Sequence, residues 1–208
     1  MNGQKNTYAW VTEIPGFTHY APGSKRAAEW AKQVFRPGPY SGTELSESAC
    51  APQPSTRAAG NIHVELVDLQ NLADGYDCLG LFGATTEAMR LYHGADLLGT
   101  AASSVADFAV PAGPGTYRLV YDESTAAIPV STQTSTTWTF HSSAPVGPKL
   151  RRIPLLTIDY DLPLGLDDHP DGDTAILTAS RVAGSGSAPV KELRLWTSTD
   201  GGATWISA

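Results

Sequence analysis

Apolar and polar residues alternate along most of this chain, which is the pattern of β-strands with one buried face. Ile62, Val64 and Leu66, for example, are separated by His63 and Glu65. The other segments with strand patterns lie between turns rich in Gly and Pro, and they cover residues 87–93, 106–110, 116–121, 134–141, 153–160, 174–182, 190–197 and 203–207. Many short strands at such spacing predict a mainly β chain folded as antiparallel β-sandwiches of the jelly-roll or immunoglobulin-like type.

A single segment has helical periodicity instead. Residues 24–35 place Trp30 and Val34 on one face, after the N-cap candidate Ser24 and before Pro37. We therefore predict one short helix near the N-terminus.

The segment SSAPVGPK, residues 142–149, has the composition of a linker. It divides the chain into an N-terminal segment with the helix (1–39), a β-sandwich domain (40–142) and a second, immunoglobulin-like domain (150–208). The last of these has about four strand patterns, whereas an immunoglobulin-like sandwich has seven. We expect this second sandwich to be truncated, with part of its inner apolar face uncovered.

Composition limits the classes of function. The 208 residues are 41% hydrophobic and 17% charged, which is typical of a folded core. The net charge of −7, without a basic cluster, argues against nucleic acid as a partner. No apolar run is long enough to span a membrane, and the N-terminus has no secretion signal, so the chain is either cytosolic or follows a signal on a missing part. Cys50 and Cys78 fit one disulfide or two buried thiols.

Motifs for catalysis are absent from the sequence. It has no G-x-S-x-G elbow and no Cys or His spacing for zinc, and its five histidines are scattered. Ser103, in GTAAS, is best interpreted as part of a turn or strand edge. We predict that this chain is not an enzyme and has no cofactor, except for one calcium hypothesis.

That hypothesis concerns an acidic loop with the candidate ligands Asp167, Asp171 and Asp173. An EF-hand does not fit, because His169 replaces an oxygen ligand and Thr178 stands where the bidentate Glu belongs. A looser calcium site is the alternative to a solvated loop, which is the default interpretation.

The last residues, TSTDGGATWISA, have the S-x-D-x-G-x-x-W spacing of an Asp-box hairpin, with Ser198, Asp200, Gly202 and Trp205 at the four positions. In such a hairpin the Ser and Asp side chains bind the turn backbone, and glycines supply positive φ. This motif is a folding device and not a catalyst.

Aromatic side chains suggest one binding function. Trp138, Tyr160 and Trp196 would suit a platform for sugars, although their alternating strand positions favour the core.

Four motifs, in order along the chain, support a family resemblance: LYHGADLLGT (91–100), AVPAGPGTYRLVYD (109–122), TTWTFHSS (136–143) and RRIPLLTIDYDLP (151–163). Together with the closing hairpin, they resemble the C-terminal accessory region of secreted subtilisin-like serine peptidases of actinobacteria. The resemblance covers most of the chain from about Tyr40 onward. It implies two β-sandwich domains located outside the cell, downstream of a protease domain. The catalytic motifs of that family have no counterpart here.

These observations give two expectations. The first is a non-catalytic accessory fragment that supports the stability or the positioning of a protease domain absent from this chain. The alternative is an extracellular module that binds a carbohydrate or a cell surface.

Overall fold

The computed structural model describes residues 8–13, 21–25, 34–40, 53–71, 77–82, 85–126, 131–165, 169, 171–186 and 188–207. In this part of the chain there are strands and no helix. The strands are β1 (Tyr8–Glu13), β2 (Arg36–Pro39), β3 (Thr56–Arg57), β4 (Asn61–Asn71), β5 (Asp77–Phe82), β6 (Thr85–His93), β7 (Asp96–Ala101), β8 (Val105–Ala109), β9 (Gly115–Thr125), β10 (Gln133–Ser142), β11 (Arg151–Arg152), β12 (Leu156–Asp161), β13 (Ile176–Arg181), β14 (Trp196–Thr197) and β15 (Ile206–Ser207).

All the strand pairs are antiparallel, and most of them join neighbours in sequence. One sheet has the order β10-β9-β6-β7. A second sheet runs β1-β5-β4-β3-β11, and β2 and β8 also pair with β4. The pairs β12-β13 and β14-β15 form two small separate sheets. A two-residue turn joins β6 to β7, and Gly94 takes a φ of +61° in it, which a residue with a Cβ adopts less readily.

Alternation explains how the first two sheets share a core. In the first half of β9, Tyr117 and Leu119 are buried, whereas Thr116 and Arg118 are exposed. Val120 and Tyr121, which follow, are both buried. The buried side chains of β9 join those of β4, β6, β8 and β10 in one apolar cluster. Side chains of the two large sheets therefore meet in a common interior.

Residues from beyond the predicted linker also enter this interior. Ile153, Leu155 and Val182 belong to the same buried cluster, and β11 pairs with β3. The indole Nε1 of Trp138 donates to the carbonyl of Leu156 at 2.8 Å. The domain boundaries remain a prediction, and these contacts join the predicted second domain to the first.

The expectation of a mainly β chain with antiparallel strands is confirmed, while the assignment to jelly-roll or immunoglobulin-like sandwiches remains a prediction. Of the predicted helix, residues 26–33 lie outside the described residues, and Val34 and Phe35 at its end are not helical. Sequence patterns did not predict β1, β2, β3, β5, β7 or β11, and the predicted strand 190–197 is reduced to β14.

Apolar side chains of the C-terminal segment are poorly covered. Leu193 and Leu195, in the predicted strand 190–197, are 45% and 37% exposed. Trp205 and Ile206 are more exposed still. Among the described residues, no helix is long and apolar enough to cross a bilayer.

Candidate binding groove between strands β10 and β12

A cavity of about 680 Å³ lies along the outer side of β10. Residues 133–139 of β10 line it, and Leu156, Thr157, Ile158 and Tyr160 of β12 also line it. The rest of the described lining is 34–37, Ser131, Pro154, Ala179, Val190 and 192–194. We call this cavity the β10–β12 groove. It brings together segments that are more than 100 residues apart in sequence.

The backbone of β10 has an open edge in this groove. The amide of Thr125 donates to the carbonyl of Thr132, and this bond fixes which residues of β10 face β9. Because backbone groups of successive strand residues point to opposite edges, the even-numbered residues of β10 bond to β9. The backbone groups of Gln133, Ser135, Thr137 and Thr139 therefore point away from β9, and no described strand pairs with them.

The same reasoning applies to β12. The amide of Val182 donates to the carbonyl of Leu155, so odd-numbered residues of β12 face β13. The backbone groups of Leu156, Ile158 and Tyr160 then point away from β13, and all three residues line the groove. The groove thus lies between two strand edges that are not paired with each other in the described structure.

Charges that line the groove are compensated. Arg36 Nη2 lies 2.5 Å from Asp159 Oδ1, in a partly buried ion pair. Arg194 Nε lies 2.7 Å from Glu192 Oε1, in an exposed pair. The side-chain hydroxyls of Ser131, Thr134 and Thr157 are buried in the lining without a hydrogen-bond partner. These hydroxyl oxygens have almost no accessible surface, so the strand edges are the groups that a ligand can bond. Because the charges are paired, the site suits an uncharged ligand.

The three aromatic residues considered for sugar binding are not brought together as one platform. Trp138 is 8% exposed and belongs to the core cluster, as its strand position predicted. Tyr160 is partly buried and lines the groove with Trp138. Trp196 is 47% exposed, so the prediction that it lies in the core is wrong, and it lines a different cavity.

The four residues of the Asp-box motif lie together in a hairpin between β14 and β15. Ser198 Oγ donates to Asp200 Oδ1 at 2.8 Å and accepts the amide of Gly202 at 2.9 Å. Asp200 Oδ1 accepts the amide of Thr204 at 2.9 Å, and Oδ2 accepts its hydroxyl at 2.6 Å. Trp205 Nε1 donates to the Gly202 carbonyl at 3.0 Å.

Electrostatics of the hairpin agree with this geometry. The bonds from the hydroxyl and amide of Thr204, followed by that from Ser198, lower the pKa of Asp200 to about 2. Gly201 and Gly202 have φ of +67° and +87°, so both occupy the left-handed region that favours glycine. Every group in this arrangement is directed at the turn itself.

The calcium candidates are described only in part. Asp167 lies outside the described residues, and Asp171 and Asp173 are exposed. The amide of Asp171 donates to the Pro163 carbonyl at 2.7 Å. Within the described ranges, no three acidic, His or Cys side chains are placed to hold a metal ion. Calcium binding by this loop stays a prediction.

Sequence reasoning missed a group of acidic residues inside the fold. Glu123 is 4% exposed, and neither of its carboxyl oxygens has a hydrogen-bond partner. Burial, followed by the charges of Asp68 and Glu87, raises its pKa to about 9. Burial also raises the pKa of Asp68 and of Glu87, and Tyr121 Oη lies 3.5 Å from Asp68 Oδ1. The register pairs Glu87 with Glu123. Glu87 begins the predicted strand 87–93, and extending the predicted strand 116–121 by two residues would have included Glu123.

Comparison with protein-family models, with curated proteins and with solved structures finds no match to this chain.

Proposed function

We propose that this chain is a non-catalytic accessory module of a secreted subtilisin-like serine peptidase, and that it acts by binding. The observation that carries the proposal is the β10–β12 groove, in which paired charges, hydroxyls and two open strand edges surround a cavity of about 680 Å³. Such a lining offers contacts for positioning a ligand. The ordered motifs that resemble the accessory regions of that family support the choice of partner, which is the protease domain of a parent polypeptide.

The test uses the purified chain and a subtilisin-like catalytic domain blocked with a sulfonyl fluoride. We expect reversible binding, measured by biolayer interferometry. Thr137→Arg places a long cation at the mouth of the groove and should weaken binding at least tenfold. Thr100→Arg is the matched control, since Thr100 is exposed on β7 at the opposite edge of the same sheet.

Two results would contradict the proposal. One is equal binding by Thr137→Arg and Thr100→Arg. The other is casein hydrolysis with stoichiometric labelling of a serine, Ser103 included, by a fluorophosphonate probe, because this would show a nucleophile in the chain.

The second candidate function is carbohydrate or cell-surface binding. It is favoured by Tyr160, which is partly buried and lines the groove, because aromatic rings commonly stack on sugars. Co-sedimentation with insoluble chitin, cellulose and xylan tests it. Retention that is lost in Tyr160→Ala, without binding to the blocked protease domain, would replace the first proposal by this one.

A further inference from the structure

We propose that the β10–β12 groove binds one extended polypeptide segment, which adds as a β-strand between β10 and β12. This inference rests on the proposed binding function and names the class of ligand. Strand addition is a recurring mode of peptide recognition, in which main-chain hydrogen bonds provide affinity and alternate side chains provide specificity.

Hydrogen-bonding groups are available on both sides of the groove. Gln133, Ser135, Thr137 and Thr139 direct amides and carbonyls outward from β10, and Ile158 and Tyr160 do so from β12. Leu156 offers only its amide, because its carbonyl already accepts from Trp138 Nε1. An inserted strand would bond to both edges, whereas a strand added to an ordinary sheet edge bonds to one. The seven residues of β10 that line the groove span roughly 23 Å at about 3.3 Å per residue, so the segment needs about seven residues.

The second observation is that β10 lacks the features that usually prevent an edge strand from pairing with another chain. Natural edge strands are usually blocked by Lys, Pro, a bulge or an inward charge, because an open edge invites pairing with another chain. From Gln133 to Phe140, β10 has no charged residue and no proline, and it pairs with β9 in unbroken register. Among the described strands, none pairs with this edge, and its sequence contains none of the usual protective features.

The lining specifies the chemistry of the segment. Trp138, Phe35 and Thr157 are buried on the inner side, whereas Thr137 and Thr139 are exposed. Since a strand directs alternate side chains to opposite faces, the segment should alternate apolar and polar residues. It should also be uncharged, because Arg36 and Arg194 are already paired with Asp159 and Glu192.

The probe is a capped nine-residue peptide in which Thr and Val alternate between two terminal lysines, labelled for fluorescence anisotropy. We expect saturable binding that weakens at least tenfold when alternate amides are N-methylated, because those groups can no longer donate. Thr137→Pro and Ile158→Pro remove amides that face the groove and should each weaken binding at least tenfold. Thr100→Pro on β7 is the matched control and should leave binding unchanged.

Hydrogen exchange of backbone amides provides a readout at single residues. In the free chain, the amides of Thr137 and Thr139 should exchange quickly and that of Trp138 slowly; added peptide should slow the first two. Three results would overturn strand addition. The N-methylated peptide could bind as tightly as the unmethylated one, Thr100→Pro could weaken binding as much as Thr137→Pro, or added peptide could leave the exchange of the Thr137 amide unchanged. If these amides become protected on raising the protein concentration without peptide, and sedimentation velocity shows a dimer, the occupant of the groove is a second copy of the chain and the proposal is overturned.

These results separate this inference from the proposed function. Failure of the peptide to bind, while the blocked protease domain still binds through the groove, would refute strand addition alone. If the wild-type chain binds the peptide but does not bind the blocked protease domain, only the choice of partner is refuted.

Discussion

The four-stranded sheet and the C-terminal segment 190–207 both contain large apolar residues, but only the sheet buries them. Leu91, Leu119 and Tyr121 are fully buried, whereas Leu193 and Trp205 are 45% and 62% exposed. The long strands of the sheet each have a partner strand and a facing sheet, whereas β14 and β15 are two residues long. The difference shows that alternation along a strand stabilises a fold only where a second layer covers the apolar face.

The largest effect should come from removing a buried side chain of the sheet. Leu119→Ala should lower the free energy of unfolding by about 2–5 kcal/mol, because a cavity is left in a packed core. Leu193→Ala should change the free energy of unfolding by less than about 0.5 kcal/mol, because Leu193 is already partly hydrated. Urea denaturation followed by circular dichroism measures both values. Equal losses in the two variants would remove the distinction between the regions.

Raising the pH should destabilise the four-stranded sheet, because Glu123 is buried in it. The pKa of Glu123 is about 9 in the fold against an ordinary value of 4.5, so the folded chain binds more protons than the unfolded chain between these values. The free energy of unfolding should then fall as pH rises from about 4.5 to about 9.

Glu123→Gln should flatten that decline, and Asp68 and Glu87 would account for what remains. The control is Glu192→Gln, which changes an exposed carboxyl of the C-terminal segment. Melting temperatures of the three proteins at pH 5, 7 and 9 provide the measurement. A wild-type melting temperature that rises with pH would contradict the burial of Glu123 in its protonated form.

Sequence patterns predicted much of the sheet and none of the groove. Alternation located β4, β6, β9 and β10, because one face of each is buried. It missed β7, whose residues are mostly exposed or partly buried and which follows the Gly94 turn closely.

The groove could not be predicted because it depends on how β10 and β12 lie in space, which no local pattern contains. The one sequence feature that pointed to an open strand edge was the absence of charged residues and proline between Gln133 and Phe140. The hairpin at Ser198 and Asp200 was predictable, because all its hydrogen bonds join residues within four positions of each other.

A smaller effect concerns the hairpin. Asp200→Ala removes the acceptor for the amide and hydroxyl of Thr204, so the amides of residues 202–205 should exchange faster while global stability hardly changes. Because the pKa of Asp200 is lowered to about 2, the wild-type hairpin should persist at pH 3 and weaken as pH falls through about 2. Asp173→Ala, at another exposed carboxyl, is the control. Unchanged exchange in Asp200→Ala would mean that the side-chain bonds do not hold the turn.

The smallest expected effect is that of calcium. If the acidic loop is solvated surface, millimolar calcium should leave the melting temperature unchanged, since only a ligand bound to the folded state raises it. Differential scanning fluorimetry of the wild type and of the double variant Asp171→Asn, Asp173→Asn provides the measurement. A rise that the double variant abolishes would establish a calcium site.

Native-state hydrogen exchange of the free chain is the most direct test of the comparison. The account predicts that amides of β9 bonded to β10, such as those of Leu119 and Tyr121, exchange only through global unfolding. Amides of 190–207 should exchange at least a hundredfold faster, through local opening. Equal protection of β9 and of 190–207 in a monomer would contradict the account.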